Sequence, residues 1–306
     1  MSIKFRIFLL FFIFLEFNSL CYGNETAAFY RERGIIEFNN EMYSFALESF
    51  TKAVRIDQKD AVSYNYLAQI SLHNRNRMQA LEYYRTSLNI NRDQDEILFK
   101  AAELYDYYGN QNDALKMFEE AVELNPENNL ALIGAARIYS MQNKIKKSSD
   151  LFQKAFDLKI SESAPLYNRG KDFIKKNDFE NAAEAMNQCI KVNPAHLDAY
   201  YDLAQFYRYR GKNIEALKLY DKIKFLQPHL EKPYVQIAYI YYTVRLSSSY
   251  LKQIQLAEKN IKKAISINDK NADYWEFLSE LYTAMNMYEE SKKAGNTAFR
   301  LNREQK

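Results

Sequence analysis

The chain sets short apolar stripes at helical spacing between polar breaks, many times over. From Leu197 to Leu230, Tyr200, Leu203, Ala204 and Tyr207 share one helical face. Gly211 follows, where a helix end tolerates left-handed backbone. A second stripe, Ala216, Leu217, Tyr220 and Ile223, occupies about Ile214 to Leu226, and Pro228 stops it. The stretch predicts two short helices folded against each other. Ala204 and Ala216 are small residues in mid-helix, each facing the other helix of the pair, so the two backbones can come close.

The same unit recurs. The small residue at the Ala204 position returns as Gly34, Ala68, Ala102, Ala136, Gly170, Ala238 and Ser279, and each step from Gly34 to Ala238 is 34 residues. The Ala216 position returns as Ala46, Ala80, Ala114, Ser148, Ala182, Ala257 and Ser291. A third small position holds Ala53, Ser87, Ala121, Ala155, Cys189, Ala264 and Ala298, with Ile223 breaking the rule. An aromatic or bulky residue sits three before it in most copies: Phe50, Tyr84, Phe118, Phe152, Met186, Tyr220 and Ile261. The repeats run near 27–59, 61–94, 95–128, 129–162, 163–196, 197–230, 231–271 and 272–304. In the seventh, Ala238 and Ala257 stand 19 apart where other copies have 12, so seven extra residues lie around 243–253. Either both helices gain about a turn, or Arg245–Tyr250 protrudes as a loop. The polar last helix of the eighth repeat, with Glu289, Glu290, Lys292 and Lys293, suits a terminal cap.

At 34 residues per unit the chain resembles the tetratricopeptide-repeat family, whose pattern is W-x2-L-G-x2-Y, then A-x3-F, then P. Trp275, Leu278, Ser279 and Tyr282 follow the first part with Ser for Gly, and Ala114, Phe118 and Pro126 follow the second. The resemblance covers roughly 27–302. It implies an all-α fold, a right-handed superhelical solenoid of about eight helix-turn-helix repeats over 24–306. It implies little about function, because the repeat is a scaffold shared by many proteins.

Composition narrows the classes. A chain of 306 residues suggests two domains by length, but a solenoid grows by stacking and has no single core. Hydrophobic residues make 47% and charged residues 26%, ordinary for a folded chain, and 7 Gly with 5 Pro leave little room for long linkers. The net charge of +3 comes from 42 basic and 39 acidic residues. So near a balance speaks against a nucleic-acid partner, which needs a clustered basic surface.

The amino terminus has the layout of a secretory signal: Lys4 and Arg6, an unbroken apolar run from Ile7 to Leu15, then Glu16, Asn18, Ser19 and Cys21-Tyr22-Gly23. The apolar run is too short for an ordinary membrane span. The expectation is a signal peptide over 1–23, export, and a periplasmic or envelope-associated chain from a bacterium. The alternatives are an uncleaved anchor or lipidation at Cys21, where Asn18 and Leu20 depart from the lipoprotein pattern. Membrane contact is otherwise expected only through a partner. After cleavage the chain keeps one cysteine, Cys189, at a small buried repeat position.

No residues gather into a catalytic pattern. His73, His196 and His229 lie in different repeats without metal-ligand spacing, and there is no phosphate loop or nucleophile elbow. No enzyme, cofactor or metal is expected. In the family the first helix of each repeat lines a concave groove, and the resemblance implies that the residue after the Tyr200 position and the one four further on face a ligand. The first row is Arg31, Asn65, Phe99, Ile133, Tyr167, Tyr201, Val235 and Glu276. The second is Ile35, Gln69, Glu103, Arg137, Lys171, Gln205, Tyr239 and Glu280, and a row further along adds Arg208 and Tyr242. The expected partner-binding residues are Arg137, Tyr167, Lys171, Tyr201, Gln205, Arg208 and Tyr239, since aromatic side chains and Arg dominate binding energy at interfaces. The expected function is a protein-interaction scaffold holding an extended peptide or partner helix. The alternative is glycan or peptidoglycan binding, with tyrosines stacked on sugar rings. The subclass that grips acidic tails is not matched, because Asp198 and Asp202 stand where its cations belong.

Overall fold

A computed structural model describes residues 26–244 and 249–304. The segment read as an export signal, Cys21 included, and residues 245–248 of the insertion lie outside the described residues. Sixteen helices and no strand are found among the described residues. They pair into hairpins: α1 (Ala27–Asn39) with α2 (Tyr43–Ile56), α3 (Ala61–His73) with α4 (Arg77–Ile90), and α5 (Asp95–Tyr107) with α6 (Gln111–Leu124). Next in order come α7 (Asn129–Met141) and α8 (Ile145–Leu158). Then α9 (Ile160–Lys175) pairs with α10 (Phe179–Val192), and α11 (Leu197–Tyr209) with α12 (Asn213–Leu226). The last pairs are α13 (Lys232–Thr243) with α14 (Tyr250–Ile267), and α15 (Ala272–Ala284) with α16 (Tyr288–Glu304). The chain groups into two compact units that meet in sequence between Ala131 and Leu132, within α7, where the repeat pattern predicts one array.

Small residues make the hairpins tight. Ala46, Ala68, Ala80, Ala102, Ala114, Ala204, Ala216, Ala238 and Ala257 are all fully buried. In the first hairpin Gly34 takes this position, and a methyl group there would lie 2.8 Å from the Phe50 ring. The bulky position fills the space behind it: Phe50, Tyr84, Tyr220 and Ile261 have no exposed surface. Burial of such rings and aliphatic chains supplies roughly 1.5–3 kcal/mol per side chain, which offsets the entropy of ordering short helices that are marginal alone.

The eighth hairpin replaces small apolar contact with hydroxyl contact. Ser279 Oγ donates to the Ser291 carbonyl at 2.8 Å, and Ser291 Oγ donates to the Ser279 carbonyl at 3.0 Å. Both serines sit where alanines stand in most other copies.

Every described hairpin turn uses one device. Glu41, Arg75, Gly109, Asn143, Asn177, Gly211 and Asn286 all have φ between 59° and 81° at the same repeat position. The next residue's N–H then reaches back five residues, as in Asn76 to the Ser71 carbonyl at 2.8 Å and Lys212 to the Tyr207 carbonyl at 2.8 Å. This left-handed stop satisfies carbonyls that the helix end would leave open. Glycine was readable at two of the seven turns; the geometry holds at the other five without it.

Two junctions depart from the pattern. α9 begins at Ile160, so the connection from α8 is Lys159 alone, and three residues expected to close the fourth repeat join the helix of the fifth. The stretch lacks the Asn-Pro pair that breaks the chain at Asn125-Pro126 and Asn193-Pro194, and Ser163 Oγ bonds the Lys159 carbonyl at 2.8 Å in support of the early turn. In the seventh repeat the insertion lengthens one helix only. α14 has 18 residues where the second helices of repeats one to six have 14, and α13 has 12. Ser249 caps α14, and the buried Gln253 side chain donates to the Val244 carbonyl at 2.7 Å.

Candidate groove on the first helices

In the second unit the residues of the groove rows join successive first helices. The Tyr167 hydroxyl on α9 donates to Asp202 Oδ2 on α11 at 2.8 Å, and Lys171 Nζ reaches the same oxygen at 3.3 Å. Burial and the Asp202 carboxylate push the Tyr167 phenol well above its ordinary value, so it stays a donor. The Tyr167 ring also packs 4.6 Å from the His196 ring.

His196 caps α11. Its Nδ1 accepts from the Ala199 N–H at 3.4 Å, and burial holds its pKa below the ordinary imidazole value against the pull of Asp198 and Asp202. A neutral Nδ1 is what a cap acceptor requires.

From α11 the row continues to α13. Lys232 Nζ lies 4.9 Å above the Tyr201 ring. Burial, with Tyr220 and Glu231 nearby, raises the Tyr201 phenol. Arg208 donates to Gln236 Oε1 at 2.6 Å and lies 4.8 Å over the Tyr239 ring. Tyr239, 44% exposed, and Tyr242 then face Phe277 of α15, with centroids 6.4 and 5.5 Å away. Gln205 is exposed between these contacts.

Of the seven residues singled out from sequence, Tyr167 and Lys171 meet through Asp202, and Arg208 meets Tyr239 directly. Tyr201 is drawn to Lys232 instead. Arg137 stands apart: it is 6% exposed, with its guanidinium 4.6 Å over the Phe225 ring. Asp202, Lys232, Gln236 and Phe277 were not singled out. Each lies on a first helix one to three positions from a row residue, so a wider helical face would have included them.

The first unit has a cleft of its own, about 570 Å³, lined by the row residues Gln69 and Glu103 and by Tyr43, His73, Arg77 and Tyr107. His73 stacks 4.0 Å from Tyr43, and Arg77 lies 4.6 Å over Tyr107. Tyr84 also lines it, fully buried, with a hydroxyl that has no protein partner. His73 and Tyr107 lie one residue past the Arg208 position of their repeats, a row the sequence reading stopped short of. Among the described residues no three His, Cys, Asp or Glu side chains gather as a metal site, and no helix is long and apolar enough to cross a membrane.

Family models described as tetratricopeptide repeat match residues 95–128 and 167–230. No curated protein matches the chain. Among solved structures, a tetratricopeptide repeat protein from Parabacteroides merdae is similar at 19% identity, over 84% of this chain and 98% of that one, with a TM-score of 0.46. YrrB, described as a TPR protein with an unusual peptide-binding site, is 22% identical over 60% of this chain and 94% of its own, with a TM-score of 0.36. MamA is 15% identical over 73% of this chain and 98% of its own, with a TM-score of 0.38.

Proposed function

Because this chain is a tetratricopeptide-repeat protein, we propose that it is a non-enzymatic scaffold that holds an extended peptide or a partner helix along the first helices of its second unit. The observation that carries this reading is a face on successive first helices where Tyr167 and Lys171 meet on Asp202, Lys232 lies over Tyr201 and Arg208 lies over Tyr239, with Gln205 exposed. That face combines aromatic rings, a guanidinium and open amides, the composition of surfaces that bind protein segments. The rings of Tyr201 and Tyr239 already carry Lys232 and Arg208 on one face. Stacking on a sugar would compete with those cations, and this favours a protein partner over a glycan.

The basic start, apolar run and small residue at Gly23 support a reading in which the chain is exported and meets its partner in a bacterial envelope. An alkaline-phosphatase fusion after residue 30 tests that part: enzyme activity outside the cytoplasm is expected, and none would remove the envelope from the reading.

A photoreactive residue at Gln205 tests the scaffold itself. Cross-linking in the cell is expected to capture a discrete protein at Gln205 and not at Lys218, which is exposed on the second helix of the same hairpin. Capture of cell-wall fragments, or equal capture at both positions, would overturn the groove.

A further inference from the structure

Arg208 is a groove cation without a counter-ion. It is half-buried, and its guanidinium donates to one acceptor, the neutral Gln236 Oε1, at 2.6 Å. No carboxylate lies within ion-pair distance of it among the described residues. Two other cations of the groove rows are neutralised: Arg31 lies 3.4 Å from Asp60, and Lys171 lies 3.3 Å from Asp202. Away from the rows, Arg33 and Arg92 hold Glu37 and Glu120 at 2.9 and 2.6 Å. A half-buried guanidinium gives up hydration, and a neutral amide replaces less of it than a carboxylate does.

The surroundings of Arg208 suit such an acceptor. The guanidinium lies 4.8 Å over the Tyr239 ring. Stacking uses its flat face, whereas a carboxylate binds its N–H edge, so both fit at once. The Tyr220 hydroxyl is fully buried and has no hydrogen-bond partner. Burial raises the Tyr220 phenol, and the Arg208 guanidinium beside it pulls the other way. An unpaired cation and an unpaired hydroxyl thus sit side by side, and both call for an acceptor that the described residues do not supply.

The rest of the face decides what kind of acceptor. Tyr239 is 44% exposed, and Tyr242 and Phe277 continue the face past Arg208. A segment laid along it runs on beyond the guanidinium, so the carboxylate belongs to a side chain within the segment and not to a terminus. The Tyr201 end carries both signs. Lys232 lies over the ring, while burial, with Tyr220, Glu231 and Asp198, raises the phenol. Acidic charge on a segment is therefore met at Arg208 and opposed or balanced elsewhere.

We propose that Arg208 is the specificity-determining residue of the groove and takes an Asp or Glu side chain from within an extended partner segment. This rests on the scaffold reading above and names the class of its partner. One unpaired cation selects one acidic position, in contrast to the several cations that grip an acidic tail.

Random peptides displayed on phage and selected on the immobilised full chain test this without a known partner. The recovered pool is expected to share one Asp or Glu position. Selection on Arg208→Gln should lose that preference, and selection on Arg208→Lys should keep it in weaker form. A second measurement uses the unaltered chain. A recovered peptide is synthesised with an amidated carboxy terminus, once with the shared acid and once with the corresponding amide side chain. The amide form should bind roughly tenfold more weakly by fluorescence anisotropy. A pool without acidic preference, the same preference on Arg208→Gln, or equal binding of the two peptides would overturn the proposal and leave the scaffold reading standing. Recovery of no peptide would overturn the scaffold reading and the proposal with it.

Discussion

The Tyr167 hydroxyl and the Asp202 carboxylate are 2.8 Å apart on neighbouring first helices, so part of the face expected to meet a ligand is already bonded to itself. Asp202 also holds Lys171 at 3.3 Å. One carboxylate thus ties down two of the residues that sequence reading assigned to binding.

That triad predicts coupled losses. Tyr167→Phe and Asp202→Ala should each destabilise by about 1.5–3 kcal/mol, the usual worth of a bond to a charged acceptor. The double variant should lose less than the sum, because either change removes the same bond. Urea denaturation of the four chains measures this. Additive losses would mean that the bond contributes nothing.

The hairpin turns predict a gain. Arg75 is held at φ 61°, where an L side chain costs about 1–2 kcal/mol and glycine nearly nothing. The greater freedom of glycine in the unfolded chain takes back part of that. Arg75→Gly should therefore stabilise by roughly 0.5–1 kcal/mol. Gly211→Ala, at φ 72°, should destabilise by about 1 kcal/mol. Thermal melts of both variants give the comparison, and equal shifts would contradict it.

The two close helix contacts predict unequal costs. A methyl group at Gly34 would lie 2.8 Å from the rigid Phe50 ring, whereas one at Gly170 would lie 3.0 Å from the flexible end of Met186. Gly34→Ala should cost about 1–3 kcal/mol by overpacking, and Gly170→Ala less, because Met can change rotamer. Gly34→Ala combined with Phe50→Leu should recover part of the loss, which a melt series reads directly.

The buried histidines predict acid sensitivity. Burial lowers the pKa of both His196 and His229. The unfolded chain then binds protons that the folded chain refuses, so this contribution to stability is complete above the ordinary imidazole value of about 6.5. It is lost progressively as pH falls through 6.5 toward the lowered folded values. The melting temperature should drop between pH 7.5 and 5.5. His196→Asn should shrink the drop, because Asn still caps α11 and does not titrate in that range. An unchanged pH slope in this variant would rule out His196 as a source of the sensitivity.

Period and residue size determined most of the architecture. The 34-residue spacing of Ala and Gly set which helices pair, and the stripes set which faces are buried, because both are local consequences of helical geometry. Ala204 and Ala216 already declare a close helix pair before any coordinates are known. Tertiary structure decided what depends on neighbours. Arg137 reads as a groove residue by its position, yet it is buried against Phe225, and Ser140 on the same helix meets His229; no periodicity records a contact spanning 89 residues. The α8–α9 junction closes to one residue because a capping break is missing there, a fact that shows only once the helices are laid out. Sequence names the residues on each face; the folded chain decides which of those faces it keeps for itself, because burial and pairing depend on distances that residue spacing does not contain.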